Sequence, residues 1–256
     1  VATVPEGFAG SAVLSADVPI VATYVQFVAG QAGSYGRTLY TGFDPSAAAM
    51  TFFIPTVLYQ RFNSTSMVGI QNIESTPITA VVKAFAEGSL TPTGVTTHTI
   101  PAQSSVVLSA SELDVPAGFT GSAVVEATGN VVASAQETGD NNRSAYAFEG
   151  TAAGANMVYM ASMLCDAFGG QISYYAIQNA STTESASVSM TMYDTAGTEV
   201  GTMPATNIPA GGKISVNPCG LGVAAGTSGS AVIESVGAPV IAIGKVKACL
   251  LYTSDA

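Results

Sequence analysis

The chain has 256 residues, 48% of them hydrophobic and 9% charged, with seven basic against seventeen acidic side chains and a net charge of -10. So few cations leave almost nothing to build a phosphate-tracking surface, and no nucleic-acid partner is expected. No apolar run approaches the roughly 18 residues of a membrane span, and a chain carried by Gly, Ser, Thr, Ala and Val reads as strand-rich, with room for two domains of about 110 residues.

The chain opens on Val1, and the apolar stretch 18–29 lacks the basic flank of a signal peptide. The expectation is an extracellular or cell-surface protein whose targeting segment has been removed. The first recognisable element is the segment Val4-Pro5-Glu6-Gly7-Phe8-Ala9-Gly10-Ser11-Ala12-Val13, which recurs as Val115-Pro116-Ala117-Gly118-Phe119-Thr120-Gly121-Ser122-Ala123-Val124 and as Val223-Ala224-Ala225-Gly226-Thr227-Ser228-Gly229-Ser230-Ala231-Val232. Each copy is followed by a turn signal (Ala16-Asp17-Val18-Pro19, Thr128-Gly129-Asn130, Val236-Gly237-Ala238-Pro239) and a second apolar stretch, so each reads as a β-hairpin.

A longer block occurs only twice. Residues 50–72 align without gaps with 157–179, ending in Ile70-Gln71-Asn72 and Ile177-Gln178-Asn179, and Ile100-Pro101-Ala102 matches Ile208-Pro209-Ala210. Within the first block, 51–58, 67–71, 79–86, 96–100 and 105–108 are strand candidates punctuated by Gly, Pro, Asn and Ser. Their two-residue alternation, seen in Ala80, Val82 and Ala84 and again in Val188, Met190 and Met192, has no competing helical period. Five strands and a hairpin give about seven strands per repeat. The expected fold is all-β: two tandem immunoglobulin-like antiparallel β-sandwiches with an N-terminal β-hairpin or strand extension.

The tight connection Ser111-Glu112-Leu113-Asp114 attaches a hairpin to the block before it, whereas 137–156 reads as a linker. The expected domains are therefore 31–139 and 140–256, and the unmatched hairpin is residues 1–30. Its second strand (Ile20, Val21, Ala22, Tyr24, Val25, Gln26, Phe27, Val28) is apolar on both alternating faces and carries no charge. Such a strand is expected to be buried on both sides, and an isolated hairpin is marginal in water. Insertion into a neighbouring subunit, as in donor-strand complementation, would join copies head to tail into a homopolymer. At roughly 25 cal/mol per Å² over several hundred Å², such a joint is worth of order 10 kcal/mol before entropy costs. The competing arrangement packs residues 1–30 on their own chain.

The Ile-Gln-Asn strand, the Ile-Pro-Ala step and the Gly-Phe-x-Gly-Ser-Ala-Val segment resemble the tandem β-sandwich modules of uncharacterised bacterial surface proteins. That resemblance spans nearly the whole chain and implies an extracellular, architectural or adhesive role; Thr227, standing where Phe8 and Phe119 stand, departs from it.

Chemistry is sparse. A serine or cysteine nucleophile needs a base, and His98 is the sole histidine, in the Thr-rich strand 96–99 where an exposed position is the expected one. No phosphate loop, dinucleotide fingerprint or serine elbow occurs, so no enzyme activity and no cofactor are expected. Asp140, with Asn141 and Asn142, is the densest oxygen cluster and the one candidate for calcium; a solvated linker is the competing reading. Cys165 and Cys219 are each without a counterpart in the first block, which favours a disulfide between them; three buried thiols, with Cys249, are the alternative. Asn63, Asn142 and Asn179 lie in glycosylation sequons, although Asn179 shares its place with Asn72, which points to turn chemistry. Tyr174 and Tyr175 should face opposite sides of a strand, and Tyr35, Tyr40 and Tyr59 are candidates for loops or edges where a glycan could stack, though the chain has no Trp. The expected function is therefore a structural subunit of an extracellular, pilus-like filament, with a monomeric adhesin or carbohydrate-binding module as the alternative.

Overall fold

The computed structural model describes residues 5–8, 10–29, 35–139 and 144–248, and nearly all of its regular structure is antiparallel β-strand. The chain forms two compact units, Val1–Ala86 with Thr91–Ala152, and Glu87–Leu90 with Ala153–Ala256.

The first unit contains β1 (Thr23–Ala29), β2 (Tyr35–Thr41), β3 (Ala49–Tyr59), β4 (Ser64–Asn72), β5 (Ile78–Ala86), β6 (Gly94–Ile100), β7 (Ser105–Ser109), β8 (Phe119–Gly139) and β9 (Ser144–Glu149). β8 is 21 residues long and serves two layers. Its first half lies between β3 and β5, with β6 outside β5; its second half lies between β4 and β9, with β7 outside β4. Burial alternates strictly along β4, one face turned to the core and the other partly exposed. Ile54, Val82, Ile100 and Val125 of one layer and Val68, Ile70, Leu108 and Val131 of the other are buried, so the two layers share a core.

The second unit repeats this plan with β10 (Met157–Cys165), β11 (Gln171–Asn179), β12 (Ala186–Asp194), β13 (Glu199–Ile208), β14 (Lys213–Val216), β15 (Thr227–Gly237) and β16 (Val240–Ala248). One sheet runs β10-β15-β12-β13 and the other β14-β11-β16. Met163, Met190, Met192 and Ile233 from the first and Tyr175, Ile177, Val216 and Val240 from the second form one cluster.

The all-β sandwich class and the seven strands per repeat stand. Strand order was beyond periodicity: the sixth strand sits between the first and third, where an immunoglobulin constant domain pairs its first strand with its second.

Three expectations need correction. In its second and third copies the recurring segment is no hairpin, because its two halves pair with different strands and never with each other. It is an arch that crosses from one layer to the other. Gly129 has no positive φ; a Cβ there would lie 2.7 Å from Ile78 Cγ2 and 3.0 Å from Glu74 Cγ, so glycine serves close packing at that place. The domain boundary also moves. Residues 144–149 are not linker but β9, which pairs with the second half of β8, and the first unit extends to Ala152. Lastly, residues 10–22 form no strand, and β1 pairs with β2, which follows it, so the described residues among 1–30 do not make a hairpin of their own.

Cys165 and Cys219 are joined as a disulfide, 54 residues apart in sequence with Cα atoms 5.2 Å apart. Cys165 pairs with Thr227 as Tyr59 pairs with Phe119, so its counterpart is Tyr59 rather than the Leu58 of a gap-free alignment. Cys249 lies outside the described residues.

Candidate functional site

Glycine explains why the arch sequence is shared. In the first arch a Cβ on Gly121 would collide with the carbonyl oxygen of Phe85 on β5, and in the second a Cβ on Gly229 would collide with that of Tyr193 on β12. The third strand of each block approaches the arch too closely for any side chain. Gly10 stands at the same place in the N-terminal copy, yet the three atoms nearest its Cβ position all belong to the ring of Phe8 and none to a neighbouring strand.

Burial makes the same contrast. Val13 is 72% exposed and its counterpart Val124 1%; Leu14 is 65% exposed where Val125 is fully buried; Ile20 is 52% exposed where Val131 is fully buried. Phe8, Val18, Val21, Val25 and Phe27 are exposed as well. Leu14, Ile20 and Val21 are thus on the surface where Val125, Val131 and Val132 of the first unit and Ile233, Val240 and Ile241 of the second are buried, whereas Val18, Val25 and Phe27 take the places of Gly129, Gln136 and Thr138, which are not core.

β1 and β2 reproduce one further part of the sandwich. Gly42 N–H donates to the Ala22 carbonyl at 2.8 Å, as Gly150 N–H donates to the Ala133 carbonyl at 2.8 Å, so β1–β2 is the counterpart of the second half of β8 with β9. Cross-strand partners Tyr24 and Tyr40 bring their ring centroids to 4.8 Å, and Arg37 lies 5.6 Å from the centroid of its partner Phe27. Tyr40 is held against the first unit by a hydrogen bond with Ser134; burial pushes its phenol above the ordinary range, and that bond opposes the rise. Thr41 N–H donates to Glu149 Oε1 at 2.6 Å. On the side of β1 away from β2, where β4 flanks the second half of β8, no described strand pairs. Gln26 Oε1 and, across from it, Thr38 Oγ1 are buried without a hydrogen-bond partner.

The donor-strand candidates thus fall into two groups. Ile20, Val21 and Ala22 precede β1, whereas Tyr24, Val25, Gln26, Phe27 and Val28 lie on it, paired with Tyr40, Leu39, Thr38, Arg37 and Gly36.

Elsewhere the sites dissolve or change. His98 is half-buried on β6 and meets Thr96 Oγ1 at 3.0 Å. Among the described residues no group of three His, Cys, Asp or Glu can hold a metal, and Asp140 and Asn142 lie outside them. Asn179 is fully buried: its amide donates to the carbonyls of Glu184 (2.7 Å) and Ile208 (3.0 Å), and its Oδ1 accepts from Ser181 N–H (2.9 Å). It is no glycan acceptor in the folded chain. Asn63 is exposed in the turn after β3, with φ 55°. Tyr175 is buried, donating to the Ser162 carbonyl at 2.5 Å, and Tyr174 is exposed on the other face. Tyr59 is half-buried at the end of β3. The side chain of Tyr35 lies outside the described set.

Composition missed one further feature. The β3–β4 and β10–β11 turns each present an exposed phenylalanine on left-handed backbone, Phe62 (φ 53°) and Phe168 (φ 47°), and the Arg61 guanidinium lies 4.6 Å from the Phe62 ring centroid. The signal available in sequence was an aromatic inside a turn at equivalent places of both blocks.

No protein-family model matches the chain, and no curated protein matches it. Among solved structures, the crystal structure of Thermotoga maritima 1070 is 20% identical with a TM-score of 0.35, covering 40% of this chain and 92% of its own. The Anabaena sensory rhodopsin transducer is 20% identical with a TM-score of 0.29, covering 36% and 88%.

Proposed function

We propose that the protein is a structural subunit of an extracellular, pilus-like filament, joined to its neighbour by β-strand complementation through the N-terminal segment. One observation carries this reading: residues 4–13 repeat the sequence that opens two arches, core elements of their sandwiches, yet Val13, Leu14, Ile20 and Val21 are exposed where Val124, Val125, Val131 and Val132 are buried. Burial of those side chains in a neighbour supplies the driving force, and backbone pairing supplies the register. The rest of the chain suits a load-bearing role, being two sandwiches with a single half-buried histidine. Electron microscopy of native material tests the reading: fibres with a regular subunit repeat are expected, and deletion of residues 1–30 should abolish high-mass assembly. Dispersed particles, or undiminished assembly after the deletion, would overturn it.

Phe62 and Phe168 favour a second reading, an adhesin or carbohydrate-binding module. Exposed aromatics on strained turns at matching places in two repeats are suited to contact a ligand. Glycan-array binding that is lost in the double Phe→Ala variant, with the protein dispersed, would select it.

A further inference from the structure

We infer that the N-terminal segment is the closing arch of a third sandwich whose block is carried by a neighbouring polypeptide, and that the strand receiving β1 has a small residue, Gly or Ala, opposite Tyr24. This inference rests on the complementation reading and names its acceptor.

The geometry follows from the two arches already seated. Residues 8–16 correspond to the first half of β8, so they would lie between the first and third strands of a block, with Gly10 against a third-strand carbonyl as Gly121 is against Phe85. Leu14, in the place of Val125, would enter the core. Residues 20–28 correspond to the second half of β8, with β2 already on one side as β9 is there. The open edge of β1 would take the second strand of the block. Opposite Gln26 would stand the position of Ser66, which faces Glu137, and of Ser173, which faces Val246, in reach of the buried Gln26 amide that now has an unpaired oxygen.

The identity of the acceptor follows from size. Tyr24 occupies the place of Ala135, which faces Val68, and of Gly244, which faces Tyr175. In the second unit the Tyr175 ring fills the space that the missing Gly244 side chain leaves, with Cε1 3.2 Å from where a Cβ would be. A pair thus holds one large ring or two small groups. With the ring on Tyr24, the acceptor residue must be small. Neither block of a second copy fits, because Val68 and Tyr175 occupy that position and because both blocks already contain their own arches. The head-to-tail homopolymer expected from sequence would need an arch to be expelled and a ring to be accommodated. An arch-less block of the same repeat needs neither.

Two experiments test this. In the full chain, residues 240–248 are replaced by residues 20–28, with and without Tyr175→Gly. The second unit's melting transition should fall by at least about 10 °C with Tyr175 present and recover at least half of that with Tyr175→Gly. In trans, the intact chain is co-expressed with a chain ending after Gly222 that carries Tyr175→Gly. The two should co-purify, at least tenfold more than when the truncated chain keeps Tyr175, and Leu14→Asp in the intact chain should abolish the pairing. No rescue by Tyr175→Gly in the replaced chain overturns the inference, whether or not the truncated chain folds. Equal capture by both truncated chains also overturns it. Fibres formed by the intact chain alone would keep the filament reading and remove this acceptor, whereas rescue without fibres in native material would do the reverse.

Discussion

Asn72 carries more of the first unit than any surface contact does. It is fully buried at the end of β4, and its two amide hydrogens are shared among the carbonyls of Thr76 (2.9 Å), Ile100 (3.1 Å) and Pro101 (2.9 Å), while Oδ1 accepts from Glu74 N–H at 2.8 Å. Asn72→Ala leaves four backbone groups without this partner. The bond to Ile100 is buried and water cannot replace it, costing about 1–3 kcal/mol; the other three are partly buried and cost about 0.5–1.5 kcal/mol each. The sum, about 2.5–7.5 kcal/mol, is a large share of the roughly 5–15 kcal/mol that stabilises a domain. At about 4 °C per kcal/mol for a domain of this size, the transition should fall by roughly 10–30 °C. Asn72→Asp should be worse than Ala, because an oxygen then faces three carbonyl oxygens while only the Glu74 bond survives. Calorimetry reads both; the first unit's transition is the one unaffected by reductant. A shift under about 3 °C for Asn72→Ala, or a milder effect for Asp than for Ala, refutes the clamp.

Further outcomes follow from the same geometry. Reducing Cys165–Cys219 opens a 54-residue loop and should lower the second unit's stability by roughly 4 kcal/mol, seen as a reductant-sensitive transition beside an insensitive one. Gly121→Ala, whose Cβ meets the Phe85 carbonyl, should destabilise the first unit by about 1–3 kcal/mol or more, whereas Gly10→Ala should leave both transitions in place and reduce assembly. Burial pushes the Tyr175 phenol up to about 12. A raised pKa gives stability that is complete below the unfolded value near 10 and is lost as pH climbs towards 12, of order 2 kcal/mol; Tyr175→Phe should flatten that alkaline limb, which pH-dependent denaturation measures.

Alternation in Ala80–Val82–Ala84 and Val188–Met190–Met192 determined strand, because a half-buried sheet imposes a two-residue period on any sequence that forms one. The repeats determined two like units, and repeat counting alone left residues 1–30 without a block of their own. The arch was not legible, since a Gly-Asn pair suits a tight turn and a crowded crossing alike, and only the Ile78 and Glu74 side chains beside Gly129 separate them. Nor was the fate of Asn179 legible: the sequon is a local pattern, and its burial depends on carbonyls of Glu184 and Ile208 that the fold brings to it. Local sequence set which residues want to be inside. Which strands pair, and hence that the repeated segment closes a sandwich as an arch and not as a hairpin, depended on contacts between residues far apart in the chain, for which a period of two carries no information.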